Sequence, residues 1–183
     1  MVIERNNKCV KIELPNGKVA DVLSPVLDEI SKWIQDEIRK PESGVYIIGY
    51  QHRLTGNISL EAVSHPYNLD LKTRIHFDIR DPQHIVFLKR AQKCESYYMG
   101  VWHTHPQDYP IPSSIDWDDW NETLRSDKTG SQYVFFIIAG ISQWRLWIGD
   151  MLSGVIVEGH ECSKNYEGIY IKESGQKSEE IFG

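Results

Sequence analysis

Hydrophobic positions along the chain follow two periods in turn, and the changes of period mark the elements. Residues 8 to 14 alternate as a half-buried strand does, and Pro15-Asn16-Gly17 turns the chain into a second short run ending at Val22. From Ser24 the period lengthens. Val26, Leu27, Ile30, Trp33, Ile34 and Ile38 form one helical stripe, with Ser24 as the cap, Pro25 at the first helical position and Pro41 as the stop. Asp28, Lys32, Asp36 and Lys40 make its solvated face.

Strands are expected at Val45 to Tyr50 and Asn57 to Val63, joined by a turn at Thr55-Gly56. Asp81-Pro82 opens a helix through Ile85, Phe87, Leu88 and Ala91, which leads into a strand from Tyr97 to His105. Ser113 caps a further helix containing Ile115, Trp117, Trp120 and Leu124. The run Gln132 to Ala139 is apolar throughout, as in a strand covered on both faces. It turns at Gly140 to Gln143 into a partner, Trp144 to Ile148, with a last short strand at Ser153 to Val157. Strands and helices mixed in this order predict an α/β sandwich with a mixed central sheet flanked by helices.

Potential metal ligands concentrate between Gly100 and Trp120. On a strand, His103 and His105 point to one side while Thr104 points to the other. A tetrahedral cation then needs a third protein ligand, and a catalytic one keeps a place for water. Asp116, at the third position of the Ser113-capped helix, is placed to be that ligand. Pro106, Pro110 and Pro112 reduce the freedom of the loop between, which lowers the entropic cost of holding the donors together. A capping pair explains Ser113 and Asp116 equally well, so spacing leaves both metal and cap open. Glu42, at the mouth of a central strand, is one of several acids placed for a general base.

Composition narrows the classes further. A chain of 183 residues suits one domain with a real core, expected over 1–172 with a polar tail at 173–183. A net charge of -6 argues against nucleic acid as a partner, and no basic cluster or apolar span points to a membrane. Cys9, Cys94 and Cys162 are odd in number and far apart, which speaks against a disulfide framework; with no secretion signal at the N-terminus, a cytoplasmic protein is expected. No phosphate-binding glycine loop and no Gly-x-Ser-x-Gly elbow occurs. The remaining histidines, His52, His65, His76, His84 and His160, have no mutual spacing that suggests a site.

Glu42, then His103-Thr104-His105-Pro106, then Ser113 and Asp116, resembles the JAMM/MPN+ zinc metalloprotease motif. The flanking Glu-Ser-Gly segment, the Arg80-Asp81-Pro82 helix start and the Pro-x-Pro-Ser-x-x-Asp run resemble the prokaryotic JAB branch, and within it the CD-NTase-associated isopeptidases of CBASS antiphage systems. The resemblance spans roughly residues 20 to 160. It implies a JAB/MPN-type, cytidine-deaminase-like fold and one Zn²⁺ per chain on His103, His105 and Asp116. It further implies Glu42 as the proton carrier and Ser113 as a donor to the oxyanion. The implied activity is hydrolysis of the amide after the C-terminal residue of a ubiquitin-like-conjugated protein. The implied partner is the C-terminal tail of a conjugated CD-NTase, a cyclic-nucleotide synthase. Tyr109, Trp117 and Trp120 are candidates to line the tail's path, with core packing at least as good a reading of both tryptophans.

Val45 and Val101 depart from the residues that relatives often carry there, a second glycine and an acid, which bears on substrate fit. The alternative is a non-catalytic MPN-type scaffold that binds such a tail without cutting it, although such scaffolds usually lack one or more ligands. A zinc nucleoside deaminase would require His-x-Glu and Pro-Cys-x-x-Cys, and both are absent.

Overall fold

The computed structural model describes residues 9–73 and 77–162. Its main sheet has eight strands in the order β1-β2-β4-β3-β7-β8-β9-β10. β1 (Val10–Glu13) and β2 (Val19–Val22) form the first hairpin, and β3 (Gly44–Gln51) pairs antiparallel with β4 (Ile58–Val63). At the centre, β3 runs antiparallel to β7 (Tyr97–Thr104), which is parallel to β8 (Tyr133–Ala139). β9 (Trp144–Asp150) and β10 (Ile156–Gly159) complete the sheet in antiparallel fashion. With β2 and β4 also parallel, the sheet is mixed, as the chain order led one to expect. A separate hairpin, β5 (Leu71–Lys72) with β6 (Phe77–Asp78), was not legible in the sequence.

Alternation along the central strands divides the core into two layers. Ile47, Phe135 and Ile137 pack on one face with Val26 and Ile30 of α1 (Ser24–Ser31). The other face takes two helices. Ile48 and Ala62 meet Ala91 of α2 (Gln83–Lys93), while Val134, Phe136 and Trp147 meet Trp120 of α3 (Ser114–Ser126). All seven residues of β8 are buried, which accounts for its unbroken apolar run.

Several boundaries differ from the sequence reading. Leu23, not Ser24, holds the cap position of α1 and makes no side-chain cap bond. The helix ends at Ser31, well short of Pro41, and Ile38 is 80% exposed. The cause lies in Gln35. A continued helix would carry it away from the Val26–Ile30 face, whereas the irregular chain brings it into the core to receive a hydrogen bond from Thr104. The last strand starts at Ile156, because 150–155 form a turn closed by Asp150 N–H to Val155 O. Cys9, Cys94 and Cys162 are all free thiols. The polar tail expected from Glu173 lies outside the described residues.

Candidate metal centre

β7 presents Val101 and His103 on the α3 side of the sheet and buries Trp102 and Thr104 on the α1 side. His105 continues the alternation just past the strand end, where its N–H donates to Ala139 O at 3.0 Å. The two imidazoles therefore share a face, with Nε2 atoms 3.1 Å apart.

The third group comes from the start of α3. Ser113 caps the helix and Asp116 is its third residue, joined in a reciprocal capping box. Ser113 Oγ accepts from Asp116 N–H at 3.1 Å, and Asp116 Oδ2 accepts from Ser113 N–H at 2.6 Å and from Ser113 Oγ–H at 2.8 Å. The box fixes the carboxylate facing the histidines. Oδ1 lies 2.9 Å from His103 Nε2, and Oδ2 lies 3.4 Å from His105 Nε2. Cap and ligand geometry thus coexist in one side chain, so the two readings left open by spacing do not compete.

One donor atom from each of His103, His105 and Asp116 falls within 4.8 Å of the others. Ligand bonds of about 2.0–2.2 Å at tetrahedral angles put neighbouring donors about 3.4 Å apart, close to the contacts seen here. Two imidazoles and one carboxylate are a donor set suited to zinc, and all three side chains are 13–14% exposed, leaving one side open. Burial would raise the Asp116 pKa, but hydrogen bonds from His103 and His105 outweigh it and keep the carboxylate ionised well below its usual range. Burial would lower the His105 pKa, yet the adjacent Asp116 turns the shift upward, with Glu42 and Gln107 adding to it.

Glu42 comes from the far side of the sequence through strand pairing. Gly44 stands opposite His103 in the β3–β7 register, which brings Glu42 to the rim of the same cavity of about 250 Å³. Thr104 locks this junction from below. Its N–H donates to Ser43 O at 2.8 Å, its hydroxyl accepts from Ser43 N–H at 3.0 Å, and that hydroxyl donates to Gln35 Oε1 at 3.0 Å. These groups are buried, so each bond replaces one that water would otherwise supply. Neither Gln35 nor Ser43 was singled out from sequence. The available signal was Thr104 itself, a polar residue at an inward position of a core strand.

The structure brings all five sequence-derived residues together: Glu42, His103, His105, Ser113 and Asp116 line one cavity, with Val45, Val101, Ile79, Ile115 and Trp120 as its apolar walls. The three aromatics offered as a tail path, with core packing left open for both tryptophans, divide. Trp120 is 2% exposed and stacks on Phe136 at 4.8 Å, so it is core, whereas Tyr109 and Trp117 reach solvent.

The family model for prokaryotic homologs of the JAB domain matches residues 23–148, a span that contains every residue of this centre. This chain belongs to the prokaryotic JAB family. Similar proteins include the CD-NTase/cGAS isopeptidase of Vibrio cholerae, 27% identical over 70% of this chain and 79% of the relative. A protein of the same name from Escherichia coli is 26% identical over 74% of this chain and 83% of its own length. Among solved structures, the solution structure of protein DSY2949 from Desulfitobacterium hafniense covers 75% of this chain and 87% of its own, with a TM-score of 0.52 and 16% identity, a likeness of fold. The mixed sheet with α1 on one face and α2 and α3 on the other is the JAB architecture expected from the sequence. No helix of this JAB domain is long and apolar enough to cross a membrane among the described residues.

Proposed function

We propose that the chain is a zinc-dependent isopeptidase that hydrolyses the amide following the C-terminal residue of a conjugated protein. The supporting observation is the convergence of two imidazoles and a capped carboxylate on one point, with Glu42 on the rim of the same cavity. His103, His105 and Asp116 hold one Zn²⁺. When bound, zinc supplies Lewis acidity, lowering the pKa of a water to about 7 and polarising a carbonyl.

Glu42 accepts a proton from the attacking water and delivers it to the leaving amine. Ser113 has one hydroxyl proton, which it donates to Asp116 Oδ2 in this structure; the hydroxyl keeps the bond it accepts from Asp116 N–H while it turns that proton toward an oxyanion. Such a donor is worth roughly 3 kcal/mol to the transition state. The apolar walls exclude water and accept an extended tail.

The relatives' name, CD-NTase/cGAS isopeptidase, supports a conjugated CD-NTase as the substrate. In this proposal that cyclic-nucleotide synthase is joined through its C-terminus to a target amine, in antiphage defence. The test is incubation of the zinc-loaded protein with a synthase fused at its C-terminus through an amide to a reporter. Chelator-sensitive cleavage after the synthase's last residue supports the reading. Tail binding without cleavage, insensitive to chelator, would instead mark a scaffold, and inertness toward every amide-linked tail would contradict the enzyme.

A further inference from the structure

The loop from Pro106 to Pro112 carries the chain between two members of the donor set, His105 and Asp116, yet it has little core of its own. Gln107, Asp108, Tyr109 and Ile111 are all exposed, and Pro110 is its buried residue. Its position is set from outside, by β9 and the turn before it. Ile141 N–H donates to Gln107 O at 2.7 Å, Gln143 N–H to Asp108 O at 3.1 Å, and Ser142 Oγ–H to Asp108 Oδ1 at 2.9 Å. The fit is close enough that a Cβ on Gly140 would lie 2.7 Å from Asp108 O and 2.8 Å from Pro110 Cδ.

Arg145 closes this arrangement. One guanidinium nitrogen donates to Pro110 O at 2.8 Å, while Nε and Nη2 grip both oxygens of Glu158 on β10 at 2.8 and 2.9 Å. The guanidinium carbon also lies 4.4 Å from the Tyr109 ring centroid and 4.7 Å from that of Trp147. A planar, always-charged fork can make the paired bonds and the ring contacts at once, and its 16% exposure shields them from water. Within the loop, Gln107 Oε1 accepts from Ile111 N–H at 2.9 Å, spanning the Pro110 anchor.

We propose that Arg145 is a positioning residue for the metal centre, fixing the 106–112 loop so that His105 and Asp116 arrive at one point. The inference rests on the zinc reading above. Without the clamp the loop would sample many arrangements, and each binding event would have to order it afresh, which weakens affinity without removing a donor.

The experiment is zinc affinity by competition with a chromophoric chelator, together with the visible spectrum of the cobalt-substituted protein. Four proteins are compared: wild type, Arg145→Met/Glu158→Met, Arg145→Lys and Tyr109→Ala. The double variant removes both charges, so no carboxylate is orphaned, and should bind zinc roughly 10–100-fold more weakly with its circular dichroism unchanged. Arg145→Lys keeps the charge but cannot hold Glu158 and Pro110 together, and should lose part of the affinity. Tyr109→Ala removes a half-exposed ring at little risk to the fold and should also weaken zinc, with a broadened cobalt spectrum. Wild-type zinc affinity in folded Arg145→Lys and Tyr109→Ala would overturn the role given to Arg145 and leave the zinc reading standing. A wild-type chain with no zinc affinity would overturn both.

Discussion

Gly44 faces His103 across the β3–β7 ladder so closely that a methyl group on Gly44 would strike the Trp102 carbonyl oxygen and come within 2.7 Å of the His103 Cβ. The backbone carrying Glu42 is thereby held against the backbone carrying the first imidazole. Gly44→Ala should force the strands apart at the donor set, costing about 1–3 kcal/mol of stability. Zinc affinity should fall with it. Thermal unfolding and zinc titration of the variant check both effects.

Glu42 lies at the rim of the cavity but is not one of the three grouped donors. Glu42→Gln should therefore leave zinc content near that of wild type while cleavage falls roughly 10²–10⁴-fold, the usual worth of a positioned acid–base group. Steady-state kinetics beside metal analysis separate this from a loss of binding.

Thr104→Val keeps shape and removes the hydroxyl, leaving Ser43 N–H and Gln35 Oε1 without the partner each has now. The expected cost is about 1–3 kcal/mol, because a buried polar group that loses its bond is not compensated by water. Ser43 follows Glu42 in the chain, so kcat should drop more than zinc affinity. Urea unfolding and kinetics of the same preparation measure the two.

Away from the centre, Asp70 ties the segment around β5 and β6 to α2. Its carboxylate accepts from Tyr67 N–H, Arg80 N–H and Asp81 N–H, and lies 2.7 Å from His84 Nε2. Burial would raise its pKa, but these hydrogen bonds bring it down to about 2. A depressed folded-state pKa gives stability that is present above the unfolded value, roughly 3.9, and is lost as pH falls through about 2. Asp70→Asn should thus cost about 2 kcal/mol at neutral pH, and its deficit against wild type should shrink below pH 4. Urea midpoints of both proteins between pH 7 and pH 2 trace this.

Much of the centre was legible because its parts are local. The alternation around Thr104 put both imidazoles on one side, and Ser113 three residues before Asp116 announced the cap that aims the carboxylate. Glu42 was not local. Its 61-residue separation from His103 is closed by the β3–β7 pairing, which no spacing rule contains, and only the family resemblance singled it out. The end of α1 was hidden for the same reason: apolar periodicity continued to Ile38, while a long-range bond from Thr104 to Gln35 decided where the helix stops. The β5–β6 hairpin has two-residue strands, too short to show a period.

The most direct test of the centre is zinc stoichiometry, by elemental mass spectrometry after equilibration with micromolar free zinc. Wild type should hold close to one zinc per chain, and His103→Ala, His105→Ala and Asp116→Ala should each lose most of it while remaining folded. A folded wild type that takes up no zinc, or three variants that retain it, would contradict the metal centre.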